Sequence, residues 1–240
     1  GGRRDLYTEL RPKEIKKEGL SEYFLYVIEG KETIPSGWSK RLLSFDKDEV
    51  PVVNLYKYEQ ERYGDSVVRF LSFKNDDEHK LGETPIPGGM LKVYRTVDAD
   101  GHLSYTGQSS FKYIPVDEEV ELNLGAARTV TVEPTLMGFK TENYVFDDGK
   151  DIVGWDEIRT FKVEVTNTRD LGVKVEIKRN LPTEYWDIER SGEFGEYERF
   201  DLDTVKFTLL LGRRSKKKFE YTVRTYHGRR EENWEPGRQD

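Results

Sequence analysis

The chain contains no cysteine, which removes disulfides, thiolate nucleophiles and cysteine-held zinc together. A cysteine-free chain folds in oxidising or reducing surroundings alike, so the compartment stays open. Histidine is almost as scarce: His79, His102 and His227 are the full complement. Hydrolytic triads need a base, most often histidine, within reach of a nucleophile. His79 lies in the charged stretch 75–80 and His102 follows a turn glycine, so both read as exposed loop residues. No H-E-x-x-H, G-x-S-x-G or Walker-type loop occurs, and neither a catalytic residue nor a cofactor is expected. No apolar run approaches the about 18 residues of a membrane helix, and Gly1-Gly2-Arg3-Arg4 does not lead into the apolar core of a signal peptide. Helix is rare too, with residues 12–18 the one segment that reads as a helical turn or two.

What is present is charge and aromatic surface. The chain sets 39 basic against 46 acidic residues for a net charge of -7, which favours solubility and disfavours phosphate backbones, so nucleic acid is not an expected partner. With 14 Tyr, 12 Phe and 4 Trp the chain is too rich in aromatics for a disordered one. Period-two alternation runs through it. Phe161, Val163 and Val165 alternate with Lys162, Glu164 and Thr166, and Val173, Val175 and Ile177 alternate with Lys174, Glu176 and Lys178. Successive strand side chains point to opposite faces, so each segment has one apolar and one wet face. The short polar loop 167–172 predicts an antiparallel hairpin between them, with Glu164 near Lys174 on the wet face.

The same alternation marks strands at Val120, Leu122 and Leu124, at Val205, Phe207, Leu209 and Leu211, and at Phe219, Tyr221 and Val223. Residues 23–28 and 67–73 are apolar on both faces and read as central strands. Turn signals at Glu29-Gly30, Tyr63-Gly64-Asp65, Pro87-Gly88-Gly89, Asp98-Ala99-Asp100-Gly101 and Asp147-Asp148-Gly149 separate roughly fifteen candidate strands, the spacing of sandwiches or barrels. A faint repeat links the halves. Phe70-Leu71-Ser72-Phe73-Lys74-Asn75 ends a strand in Asn, and Leu122-Asn123-Leu124-Gly125 follows about 50 residues later. Val163-Glu164-Val165-Thr166-Asn167 does the same, with Leu209-Leu210-Leu211-Gly212 about 45 residues on. The expected fold is all-β, with two sandwich-like (immunoglobulin-like) antiparallel modules: 1–126, an N-terminal β module, and 127–240, a C-terminal β-sandwich module. Residues 128–134 form a long strand that bridges the two.

Gly37-Trp38-Ser39-Lys40-Arg41-Leu42, Val50-Pro51-Val52, Arg69-Phe70-Leu71-Ser72-Phe73-Lys74-Asn75, Pro87-Gly88-Gly89 and Glu121-Leu122-Asn123-Leu124-Gly125 together resemble the uncharacterised C-terminal domain of bacterial mucoidy-inhibitor-like proteins. Val163-Glu164-Val165-Thr166-Asn167 and Trp186-Asp187-Ile188 fit its end, so the likeness spans residues 22–226. It implies a β-rich domain of unassigned function within larger, exported bacterial proteins that carry another β domain and a coiled coil upstream.

Three clusters remain as candidate chemistry. Asp147, Asp148 and Asp151, with Asp156 and Glu157 just beyond, form the densest acidic group. Calcium takes oxygen ligands from flexible loops, but this spacing is not that of an EF-hand, which favours a solvated turn and leaves the metal open. Paired carboxylates across a cleft would make a glycosidase. Arg213-Arg214-Ser215-Lys216-Lys217-Lys218 reads as a polyanion contact or, more simply, as a solvated hairpin tip that discourages edge aggregation. Trp38, Trp155, Trp186 and Trp234 would stack on sugar if exposed along one face, but aromatics are also ordinary sandwich core, and Trp186 lies in an apolar alternation that points inward. The expectation is a noncatalytic structural or protein-interaction module that meets a protein partner or a second copy through strand edges. A carbohydrate-binding module and a carboxylate-dependent hydrolase are the alternatives.

Overall fold

The computed structural model describes residues 30, 31, 33–41, 46–97 and 99–235 in full, and 15–20 and 23–28 by their backbone. Fourteen strands form in chain order among them: β1 (Ile15–Leu20), β2 (Tyr23–Ile28), β3 (Val53–Glu59), β4 (Val68–Lys74), β5 (Gly89–Thr96), β6 (Leu103–Phe111), β7 (Glu119–Ala126), β8 (Val130–Phe146), β9 (Ile152–Asn167), β10 (Val173–Asn180), β11 (Trp186–Gly192), β12 (Glu196–Arg199), β13 (Thr204–Leu211) and β14 (Ser215–Gly228). The protein is an all-β, sandwich-like fold. A six-stranded sheet runs β12-β13-β10-β3-β4-β7 and a four-stranded sheet runs β11-β14-β9-β8, with β1-β2 and β5-β6 as separate pairs.

The alternation builds the core. Val163 and Val165 of β9, Val130 and Val132 of β8, and Phe219, Tyr221 and Val223 of β14 pack against Val173, Val175 and Ile177 of β10, Val205, Phe207 and Leu209 of β13, and Tyr56 and Tyr58 of β3. Phe207 sits at the centre, its ring 4.9 Å from that of Phe219 and 5.5 Å from that of Tyr221. Residues 67–73 do form a central strand: β4 lies between β3 and β7, with Val68 and Phe70 in one cluster and Leu71 and Phe73 in another.

Several local expectations are corrected. Residues 15–18 belong to strand β1, not a helix, while 12–14 lie outside the described residues. Among the described residues the α-helix that forms is the single turn α1 (Gln60–Tyr63), closed by Gly64. Within the described residues β2 pairs only with β1, so 23–28 is not a central strand. Glu29, Asp98, Leu42 and the first four residues lie outside the described residues. β9 and β10 do not form a hairpin, because β9 belongs to the four-stranded sheet and β10 to the six-stranded one. The run 213–218 is likewise no hairpin tip, since it joins β13 and β14 across the same gap. Glu164 meets Lys216 and Lys218 rather than Lys174.

The β9–β10 and β13–β14 corners between the layers are both tied by Asn167, which is 1% exposed. Its Nδ2 donates to the carbonyls of Leu171 (2.9 Å) and Gly212 (2.7 Å), and its Oδ1 accepts from Arg169 N at 3.0 Å. Asn75 does the same in the first half: Nδ2 donates to Thr84 O and Pro115 O, and Oδ1 accepts from Gly82 N. The two strand-ending asparagines of the repeat therefore share one physical role. Their strands do not share a topology, because β4 pairs with β7 whereas β9 and β13 lie in different sheets. One pair departs from the antiparallel rule: β3 runs parallel to β10, with Leu55 opposite Lys174 and Tyr58 opposite Ile177. Strands from both sides of residue 126 thus share one sheet.

Candidate functional site

The outer face of the four-stranded sheet and its β11 edge frame an open groove of about 1150 Å³. Tyr226 stands opposite Asp156, Arg224 opposite Ile158 and Thr222 opposite Thr160, so these side chains share one face. At its floor Asp156 is 0% exposed. Arg230 holds it with two bonds, Nε to Oδ1 at 2.7 Å and Nη2 to Oδ2 at 3.0 Å. Arg224 Nη1 and Asn143 Nδ2 donate to Oδ2 at 3.0 and 2.7 Å. Burial alone would raise the Asp156 pKa, but donation from Arg230, Asn143 and Arg224 outweighs it and holds the carboxyl below the usual aspartate range.

Arg230 reaches this carboxylate because β14 ends in a tight reversal at Gly228, whose φ is +58°. A Cβ there would lie 2.2 Å from Val153 O, so only glycine lets the chain fold back onto β9. With four donors on its two oxygens Asp156 is a pinned structural anion rather than a base. Beside it, the Tyr226 hydroxyl donates to Asp187 Oδ2 at 2.7 Å, and burial together with that bond raises the tyrosine pKa.

The β11 wall is built differently. Trp186, Ile188 and Arg190 face Thr225, Val223 and Tyr221 of β14, so Arg190 occupies the inward phase that its neighbours fill with apolar groups. Its guanidinium carbon lies 3.7 Å from the ring centre of Tyr197 and 5.6 Å from that of Phe194, and its Nε is buried without a hydrogen-bond partner. Burial raises the Tyr197 pKa against the opposing pull of Arg190. Arg199 lies 4.5 Å over Trp186 and 5.5 Å from Trp234, and Trp234 Nε1 is a second buried donor without a partner. The groove carries Lys140, Arg190, Arg199, Arg224 and Arg230 against Asp156, Asp187 and Glu189. Arg224 and Arg230 are spent on Asp156, Lys140 and Arg224 also pair with Glu142, and Arg199 donates to the carbonyls of Glu184 and Leu202, which leaves Arg190 as the cation held by no acid and no carbonyl among the described residues.

The acidic cluster read from sequence is taken apart. Asp156 faces the arginines, and Glu157 turns to the other face and pairs with Arg159 at 2.7 Å. Asp147 closes its own turn, its Oδ1 accepting from Asp151 N at 2.9 Å. Among the described residues no group of three His, Asp or Glu side chains is placed to hold a metal ion, and no helix is long and apolar enough to cross a membrane.

The histidines are placed apart. His79 Nδ1 lies 2.6 Å from Asp76 Oδ1 at a 3₁₀ turn. His227 stacks on Trp155 with ring centres 5.1 Å apart, and its Nε2 lies 2.9 Å from Thr225 Oγ1. That threonine is 3% exposed, so its hydroxyl is not presented to solvent. In the basic run, Lys216 and Lys218 pull the Glu164 pKa down to about 2, and Arg214 pairs with Asp170 at 2.6 Å. Trp186 is buried as its alternation predicts, Trp38 is 75% exposed, and Trp186 and Trp234 both line the groove. Sequence reading missed Arg190 and Arg199; a charged residue in the inward phase of β11 was the signal.

No family model matches the chain, and no curated protein matches it.

Proposed function

We propose that this chain is a noncatalytic protein-interaction module that associates with a second copy of itself through the free edge of β8. The observation that carries this reading is the exposure of that edge. Among the described residues β8 pairs only with β9, and Leu136, Met137, Phe139, Tyr144, Phe146 and Ile152 of this hairpin are each between 45% and 59% exposed. Single exposed apolar residues are ordinary, whereas a run of them on an unpaired strand is a template for another strand. The edge is also self-complementary. Lys140 and Glu142 pair within the chain at 2.8 Å, and an antiparallel copy centred on Thr141 brings each opposite the other's counterpart in its mate, so the pair can be exchanged across a two-fold interface.

The noncatalytic part rests on the saturation of Asp156 by its donors and on the burial of Thr225 beside His227. Residence in an exported bacterial protein rests on the resemblance of strand phrases alone. Glycan binding is less well supported, because the Arg199 guanidinium already lies over the Trp186 ring. The test is light scattering over a concentration series. Mass that doubles with concentration is expected, and a strict monomer at every concentration overturns the reading.

A further inference from the structure

We propose that the β11 end of the groove, at the opposite edge of the four-stranded sheet from β8, binds an extended acidic peptide. Three observations converge there. The first is a pair of unpaired donors. Buried polar groups almost always find a hydrogen-bond partner, and one left without it costs stability. Arg190 Nε and Trp234 Nε1 are both such donors, and both residues line the same groove. The second is charge. Arg190 is held between rings, not by an acid, so its guanidinium keeps its capacity for a carboxylate. The acids of β11 do not compete on that side: Asp187 and Glu189 stand opposite Arg224 and Thr222 on the outer face, and Asp187 already accepts the Tyr226 hydroxyl.

The third is an edge. Among the described residues β11 pairs only with β14, so its other side offers strand backbone to an incoming chain. Arg190 lies four residues from Trp186 on one face of β11, about 13 Å along a strand. Trp234 stands at the Trp186 end, where Arg199 lies between the two rings. An occupant that serves both ends is therefore extended, with acidic groups on one face at alternate positions. A peptide strand has that repeat, and the free edge supplies the ladder that a sugar chain would not use.

The probe is a blocked five-residue peptide alternating glutamate and valine, titrated onto the full chain by calorimetry and by tryptophan fluorescence. Its controls are the glutamine version and one N-methylated on alternate amides. Binding is expected, weakened about tenfold or more by glutamine, a loss of about 1.4 kcal/mol, and by N-methylation in one of the two possible phases. R190K keeps the charge but not the planar fork, and is expected to weaken binding several-fold with the melting temperature unchanged. No binding at millimolar peptide overturns the proposal, as does equal binding of the glutamine version. So does an R190K protein that melts as wild type and binds as wild type. A short oligogalacturonate that binds while both N-methylated phases bind undiminished would assign the groove to acidic sugars and overturn the peptide reading. None of these outcomes bears on the β8 edge, whose test is the concentration series.

Discussion

Asn167 and Asp156 show how much a single polar side chain can hold when it is buried and fully used. Replacing Asn167 by alanine removes the side-chain donor from the Leu171 carbonyl and leaves the Gly212 carbonyl with Ser215 Oγ alone, at two of the corners where the chain changes sheet. The expected loss is about 1–3 kcal/mol, read as a lower urea midpoint with an unchanged slope. Asn75→Ala is expected to behave alike. Both asparagines were visible in the sequence as strand endings; their burial was not, because composition does not say which carbonyls lack partners. Asp156 was grouped with the acidic turn for being near it in sequence. Adjacent strand residues face opposite sides, so Asp156 goes to the arginines and Glu157 to Arg159. Its folded pKa lies below the ordinary value of 3.8, so its contribution to stability is complete above that value and is lost as pH falls through the depressed one. Melting temperature is therefore expected to drop below about pH 4. Asp156→Ala leaves Arg230 without its carboxylate and Arg224 with Glu142 alone, and is expected to cost about 3 kcal/mol at neutral pH, with a shallower acid dependence than wild type.

Strands were the most legible elements, since alternation requires only that one face be buried. Their partners were not. A hairpin from β9 to β10 and a corner between sheets both satisfy the same alternation, and the short loop 167–172 serves either. What distinguishes them is that the apolar faces of β9 and β10 oppose each other across the core, a relation between sheets that no local pattern records. The basic run was misread for the same reason: it turns the chain from one layer to the other, with Lys216 and Lys218 spent on Glu164. Pairs this exposed are worth little and are screened by salt, so removing them should leave melting nearly unchanged. β8 is the element with consequences. Its exposed apolar residues contribute nothing to the monomer core, so lysine at Leu136 and Met137 together should leave the melting temperature of the monomer within a few degrees while shifting the association midpoint at least about tenfold toward higher concentration. A double variant that associates as wild type would remove β8 from the interface.

On the scale of the whole molecule, the parallel pairing of β3 with β10 joins residues more than a hundred positions apart. Nothing in the local sequence announces it, since Val53–Glu59 alternates like any half-buried strand. The expected split at residue 126 came from a faint repeat; the sheet runs across it. Tyr56 and Tyr58, each 1% exposed, belong to the same core as Val175 and Phe207. A fragment of residues 127–240 would leave the β3 side of β10 unpaired and lose both tyrosines from the core. Truncating a large buried aromatic alone costs about 3–5 kcal/mol, and two such losses rival the about 5–15 kcal/mol that keeps a typical domain folded. The full chain is therefore expected to unfold in one transition over residues 53–235, with coincident midpoints by tryptophan fluorescence and far-ultraviolet dichroism. The 127–240 fragment is expected to show no cooperative melt. Two separate transitions in the full chain, or a fragment that melts cooperatively near the same temperature, would establish independent modules and make the shared sheet a docking of two folded halves.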